Sequence, residues 1–322
     1  MSMEKLLNVQ NLSVSYITSK GTIKAVDKIS FGVGSGKSVS IVGESGCGKS
    51  TIARSVIRLI PRPGRITGGS ILFRDRNLLD LDEQEMRSVR GSQISMVFQD
   101  PFSYLNPVMK IGDQVAQPIK SHQNVEKRDI PRLVVKVLES VKIPSAEKVA
   151  SYYPHQLSGG MAQRVLIGMA ISCNPSLLIA DEPTTALDVS VQAQILKLIK
   201  EYRDKTGMSL LLITHNLGIT ADISDWIYIM YCGKIVESAD IAQIYVNPKH
   251  PYTIGLLNSI PRIDIPKKRF LTIQGIVPDL INPPSGCRFH PRCPHAKAIC
   301  AEKEPIAAEI EEGHTVFCWL FS

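Results

Sequence analysis

"GESGCGKST" at residues 43–51 and "GVGSGKS" at residues 32–38 both contain Gly-Lys-Ser, and the reading of these two stretches decides the fold. A loop that wraps backbone N–H groups around phosphate oxygens follows G-x-x-x-x-G-K-[ST], with a glycine six positions before its lysine. For Lys37 that position is Phe31. For Lys49 it is Gly43, and the pattern continues through Glu44, Ser45, Gly46, Cys47, Gly48, Lys49, Ser50 and Thr51. This stretch also follows Ser38-Val39-Ser40-Ile41-Val42, which reads as a buried strand, and it precedes a helix-like run from Thr51 to Ile60. The first stretch is followed by that strand and lacks the helix N-terminus whose amides and dipole would hold an anion. Gly34 to Lys37 is therefore a turn, and Gly43 to Thr51 is a phosphate-binding (Walker A) loop.

The 322 residues suggest one large domain with an appendage. A hydrophobic content of 44% and a charged content of 21% are those of ordinary globular proteins. No apolar run approaches the roughly 18 residues of a bilayer span, and Met1 to Asn11 lacks the layout of a signal peptide, so a cytosolic chain is expected. The net charge of +7 is modest over this length and selects no partner. Cys47, Cys173 and Cys232 are scattered, whereas Cys287, Cys293, Cys300 and Cys318 crowd the end of the chain, which in a reducing compartment points to a metal before disulfides.

Residues 6–43 alternate like strands around the turn-like Thr18-Ser19-Lys20-Gly21, and Gly69 to Phe73 is hairpin-like. From about Pro101 to Cys173 the period becomes helical, as in Val134, Val135, Val137 and Leu138. Strand and helix then alternate: Leu177 to Asp181, a helix with Val191, Ile195, Leu198 and Ile199 on one face, and Leu210 to Thr214. Such alternation predicts a mostly parallel sheet covered on both faces. Beyond His250 a loop-rich segment punctuated by Pro261, Pro266, Pro278, Pro283 and Pro284 leads to the cysteines, with a boundary near residue 260.

The strand before Asp181 and Glu182 delivers both carboxylates to its carboxyl end, where ligands of parallel sheets gather. Asp181, with the Ser50 hydroxyl, suits a magnesium shell, and Glu182 suits a base that orients and deprotonates a water against a γ-phosphate. Leu157-Ser158-Gly159-Gly160-Met161 precedes an apolar helix, so Ser158 caps a helix start whose Gly159 and Gly160 amides form a second anion site.

This last motif resembles the LSGGQ signature of ATP-binding cassette (ABC) ATPases, with Met161 in place of the usual Gln. The resemblance implies an α/β P-loop NTPase core with an antiparallel β subdomain and a helical subdomain (about 101–173), together spanning residues 1–260. It further implies ATP and Mg2+ as ligands and a head-to-tail dimer in which Ser158, Gly159, Gly160, Met161 and Asp188 reach the ATP of the opposite subunit. Tyr16 resembles the aromatic that stacks on adenine. Gln99 matches the Q-loop glutamine that touches magnesium, Ala186-Leu187-Asp188 the D-loop, and His215 the switch histidine at the γ-phosphate. Cys47 departs from the Ser or Gly common in such loops, which would make ATP binding sensitive to thiol reagents.

"DEPTTALDVSVQAQ" (181–194), "HPYT" (250–253) and "GCRFHPRCP" (286–294) narrow the resemblance to the D-type ATPase subunit of dipeptide and oligopeptide importers. By implication the chain is peripheral to the cytoplasmic face of an inner membrane, beneath two transmembrane permease subunits. A second related ATPase would be its dimer partner, and an external peptide-binding protein an indirect one. Nickel or another small solute remains an alternative cargo. The tail, residues 261–322, is expected to be a small Cys-rich domain. Its C-x5-C-x6-C-x17-C spacing lacks the close pairs of zinc ribbons and suits a 4Fe-4S cluster, which similar members carry. Zinc and free or disulfide-bonded cysteines stay open, as does replacement of one ligand by His290, His295 or His314. A soluble ABC ATPase acting on nucleic acid would usually show a second cassette or a coiled-coil insertion, and neither is present, so no nucleic-acid partner is expected. A redox role for the cysteines lacks an electron partner in the sequence.

Overall fold

The computed structural model describes residues 5–185, 187–260 and 273–322, so Ala186 of the expected D-loop and Pro261 and Pro266 of the tail lie outside the described residues. The chain divides into two compact units. One contains Gly34–Lys37 and Asp80–Leu212, the other Lys5–Val33, Ser38–Leu79 and Ile213–Ser322.

In the first unit, strand Ile94–Val97 pairs in parallel with Leu177–Asp181, Ile94 opposite Leu177 and Val97 opposite Ala180. All five residues of Leu177–Asp181 are buried, which a strand covered on both faces requires of its sequence. Helices Ile111–His122, Ile130–Ser140, Ala146–Ala150 and Gly159–Ile171 occupy the expected helical stretch. Ile130, Val134 and Leu138, spaced four apart, form the buried stripe of the second of these. Helix Val189–Thr206 buries Ile195, Leu198 and Ile199 and stops at Gly207, whose φ of 70° suits glycine. The first Gly-Lys-Ser stretch is a turn as read: the Lys37 amide donates to the Gly34 carbonyl at 3.1 Å, and the Gly36 amide to Ser209 Oγ at 2.8 Å.

In the second unit, Lys5–Thr18 lies between Gly21–Gly34 and Gly64–Phe73, with the short strand Arg76–Asn77 at the edge. The phosphate-loop strand Ser38–Val42 pairs in parallel with Trp226–Tyr231. From there the pairing is antiparallel throughout: Trp226–Tyr231 with Lys234–Asp240, that strand with His314–Phe317, and His314–Phe317 with Ala307–Glu311. The mostly parallel sheet expected from the sequence is thus corrected to a mixed one. The reason is local. Cys232 and Gly233 both take positive φ (43° and 80°), which makes a tight hairpin turn and returns the chain antiparallel without a crossover helix.

The tail, expected to be loop-rich, contributes two of these strands, and residues Phe289, Cys287 and Cys293 join the same core as Tyr231 and Tyr252. The attachment is made by Glu237, wholly buried in its strand. Its Oε1 accepts from His314 Nε2 and from the Lys249 amide, each at 2.7 Å, and its Oε2 from the His250 amide at 3.0 Å. One carboxylate therefore ties the sheet, the start of the HPYT segment and the last strand. Among the described residues, no helix is long and apolar enough to cross a membrane.

His250 caps helix Pro251–Asn258, its Nδ1 accepting the Tyr252 amide at 3.1 Å, and burial pushes its pKa from 6.5 down to about 3. The folded state holds this imidazole neutral while the unfolded chain protonates it below pH 6.5. Stability is therefore expected to fall by up to about 1.4 kcal/mol per pH unit as pH drops from about 6.5 toward 3. His250→Asn, which keeps a capping oxygen, should flatten that slope in denaturant titrations at several pH values. Glu237→Ala strands the buried His314 and should cost about 3–5 kcal/mol in the same measurement.

Candidate nucleotide site

The second unit holds the phosphate loop. It sits flush on the neighbouring strand: a Cβ on Gly43 would lie 2.0 Å from the Met230 carbonyl oxygen, and one on Gly48 2.1 Å from that of Ala25. Gly48 also needs its φ of 105°, so both glycines of the motif are demanded by close approach and backbone shape. Helix Lys49–Val56 starts directly from Gly48 with no side-chain cap, which leaves its first amides for an anion. Lys49 is buried and folds back, its Nζ donating to the carbonyls of Gly43 (2.8 Å) and Glu44 (2.9 Å), so the ammonium is already seated beneath the loop. Tyr16 OH lies 3.3 Å from Thr51 Oγ1, in the first turn of this helix. His215 is exposed at the end of strand Ser209–Thr214.

Cys47 corrects an expectation. Its side chain is 1% exposed and burial pushes its thiol pKa up, so it packs as a small apolar group under the loop and is a poor nucleophile.

Residues 44 and 47 are gripped from outside the motif, which the sequence reading missed. The Glu44 carboxylate takes a two-pronged ion pair from Arg292 (2.7 and 3.1 Å), and its amide donates to Tyr252 OH at 2.8 Å. The Cys47 carbonyl accepts the Gly233 amide at 2.9 Å. The signal was available in the HPYT and CRFHPRC stretches, but nothing in their spacing points to Glu44.

The first unit holds the carboxylates. Asp181 ends its strand buried at 2% exposure, and Glu182 follows in a left-handed conformation (φ 46°) that few non-glycine residues adopt. Glu182 Oε2 accepts from Gln99 Nε2 at 3.0 Å and from Thr185 Oγ1 at 2.8 Å, so two neutral donors orient the carboxylate. Thr185 is a further residue that the sequence reading did not single out. Ser158 caps helix Gly159–Ile171, its Oγ accepting the Met161 amide at 3.3 Å. A Cβ on Gly160 would lie 2.9 Å from Val191 Cγ1, so glycine is needed there. Asp188 caps helix Val189–Thr206 through the Val191 amide at 2.9 Å, and that bond holds its carboxyl below the usual range.

The tail cysteines are all unpaired thiols. Among the described residues, no group of three or more His, Cys, Asp or Glu side chains stands ready to hold a metal ion, so the expected four-cysteine centre is not found as a formed ligand set. The thiols are nonetheless mutual neighbours: burial first, then the charges of Cys318, Cys300 and Cys293, push Cys287 up to about 11. His290 and His314 are engaged elsewhere, at the Cys287 carbonyl (3.0 Å) and at Glu237.

A family model described as ABC transporter matches residues 26–185, and one described as the C-terminal region of oligopeptide/dipeptide transporters matches residues 236–300. The dipeptide transport ATP-binding protein DppD of Bacillus subtilis (strain 168) is 46% identical over 99% of this chain and 95% of its own. The chain belongs to the ABC transporter ATP-binding protein family. The oligopeptide transport ATP-binding protein AppD of the same organism is 44% identical over 99% of this chain and 98% of its own. Among solved structures, a dimeric ATP-binding cassette in a post-hydrolysis state with ADP and Pi shares 26% identity. It covers 73% of this chain and 98% of its own with a TM-score of 0.66, so the ABC ATPase P-loop fold is shared. The protein is thus an ABC-type ATPase, for which ATP and Mg2+ are the expected ligands.

In this ABC ATPase, alkylation of Cys47 by iodoacetamide should be far slower in the folded chain than in denaturant, as read by peptide mass spectrometry. Cys47→Ser should retain ATP binding in a nucleotide titration.

Proposed function

We propose that this ATPase powers import of dipeptides or oligopeptides through two transmembrane permease subunits. It would sit at the cytoplasmic face of the inner membrane beside a second, related ATPase, and receive substrate delivered by an external peptide-binding protein. The observation that carries the reading is identity of 44–46% with peptide-transport ATP-binding proteins along essentially the whole chain, tail included.

In the hydrolysis step, the amides from Gly46 to Thr51 and the Lys49 ammonium take the phosphates, and Tyr16 takes the adenine. Asp181 and Gln99 of the one unit and the Ser50 hydroxyl of the other are the residues proposed as ligands for Mg2+, which when bound would neutralise phosphate charge. Glu182, aimed by Gln99 and Thr185, accepts the proton of the attacking water, and His215 contacts the γ-phosphate. Ser158, Gly159, Gly160, Met161 and Asp188 complete the site of the opposite subunit.

Residues 1–260 act as the nucleotide-binding domain and 261–322 as an attached Cys-rich domain. Cys287, Cys293, Cys300 and Cys318 are its ligands for a 4Fe-4S cluster, a reading supported by their spacing and mutual proximity. Ligation there would require the side chains to converge further.

Glu182→Gln should lower kcat about 100-fold or more while ATP still binds, and Lys49→Ala should abolish binding. A Glu182→Gln enzyme turning over at the parent rate removes Glu182 as base. Uptake of labelled peptides by vesicles containing the intact complex tests the cargo, and lack of any peptide dependence would refute it. Iron and sulfide analysis of anaerobically purified protein tests the cluster, for which zinc without iron is the contrary result.

A further inference from the structure

We infer that Arg292, in the C-terminal tail, is a positioning residue for the phosphate loop: by fixing Glu44 it holds the loop in the shape that receives the triphosphate. This rests on the reading of Gly43 to Thr51 as the ATP site.

A guanidinium has five N–H donors, and all five of Arg292's are used. Nε donates to the Gln274 carbonyl at 3.0 Å. Nη1 donates to Glu44 Oε2 at 2.7 Å and to Tyr231 OH at 3.3 Å. Nη2 donates to Glu44 Oε1 at 3.1 Å and to the Ile273 carbonyl at 3.3 Å. The side chain is 4% exposed and lies 5.8 Å from the centre of the Tyr231 ring, so the cation cannot swing away without losing every partner. The fork is rigid and two-pronged, and among the described residues its anionic partner is the loop's own carboxylate.

Glu44 is held at three points. Its carboxylate is on Arg292, its amide on Tyr252 OH, and its carbonyl on Lys49 Nζ at 2.9 Å. The seat of the phosphate-binding lysine is therefore built partly from a residue whose orientation the tail sets. A second contact from the same segment supports the far side of the loop. Arg288 donates through Nη1 to the Cys232 carbonyl and through Nη2 to Asp27, and the adjoining Gly233 amide holds the Cys47 carbonyl. Without Arg292, Glu44 is released to rotate, and its unpaired carboxylate faces an incoming polyanion. The effect should fall on ATP affinity and leave the chemical step alone.

The test uses the full-length chain with Arg292→Gln, Arg292→Lys, Glu44→Gln and the Glu44→Gln/Arg292→Gln pair. Affinity for a fluorescent ATP analogue, steady-state KM and kcat, and thermal unfolding without nucleotide are measured for each. Arg292→Gln should raise Kd and KM for ATP about tenfold, the range of a typical coupling between two sites, with kcat unchanged. Arg292→Lys should recover part of the loss. The double variant should be no worse than Arg292→Gln, because a neutral Gln at 44 removes the repelling charge. A folded Arg292→Gln enzyme with the parent's KM and Kd, alongside a Lys49→Ala enzyme that binds no ATP, overturns the positioning role. Retained binding in Lys49→Ala would instead refute the site itself. If Arg292→Gln does not fold, Glu44→Ala, which removes the acceptor that Arg292 grips, decides: KM should rise, and an unchanged KM there overturns the inference.

Discussion

A phosphate loop works only while its amides stay open and its curvature stays fixed, and here the curvature is set by contact with backbone. Gly43 lies so close to the Met230 carbonyl, and Gly48 to that of Ala25, that no side chain fits at either position. The loop is therefore seated on the strands Trp226–Tyr231 and Gly21–Gly34, and any change in those strands is felt at the phosphates. Lys49 completes the seat from inside by bonding the carbonyls of Gly43 and Glu44. A triphosphate arriving there finds an ammonium whose position has already been paid in folding.

The strand under the loop is in turn supported by the end of the chain. Tyr231 packs edge-on to Tyr252 at 4.7 Å and to Phe289 at 5.1 Å, so strand, HPYT helix and tail share one aromatic cluster. Glu237 ties the same three segments by hydrogen bonds from Lys249, His250 and His314. A buried carboxylate is costly unless fully bonded, which is why it recruits two backbone amides and an imidazole at once. The C-terminal region thus has a packing role, and its arginines reach the loop and its neighbouring turn.

In the other unit the geometry orients a carboxylate. Glu182 is bent into a left-handed conformation just past a fully buried strand, with Gln99 and Thr185 both donating to one carboxylate oxygen. Two neutral donors hold direction without adding charge, which suits the proton-accepting role proposed for Glu182. The signature helix is built with equal economy: Ser158 caps it, and Gly160 lets it approach Val191.

The local features were legible in the sequence because they rest on local rules. The glycine spacing of residues 43–48, the capping residue Ser158, the buried runs at 38–42 and 177–181 and the turn at 34–37 each follow from backbone geometry or burial within a few residues. The sheet's antiparallel half, the two tail strands and the clamp of Arg292 and Tyr252 on Glu44 were not legible. The first hinges on two positive-φ residues at 232–233, the tail strands reach the sheet where Val316 pairs with the distant Glu237, and the clamp joins positions 208 and 248 residues apart, where no period or spacing carries the information. Cys47 shows the same division: its place in the motif was readable, but its inertness was decided only by the packing that buries it.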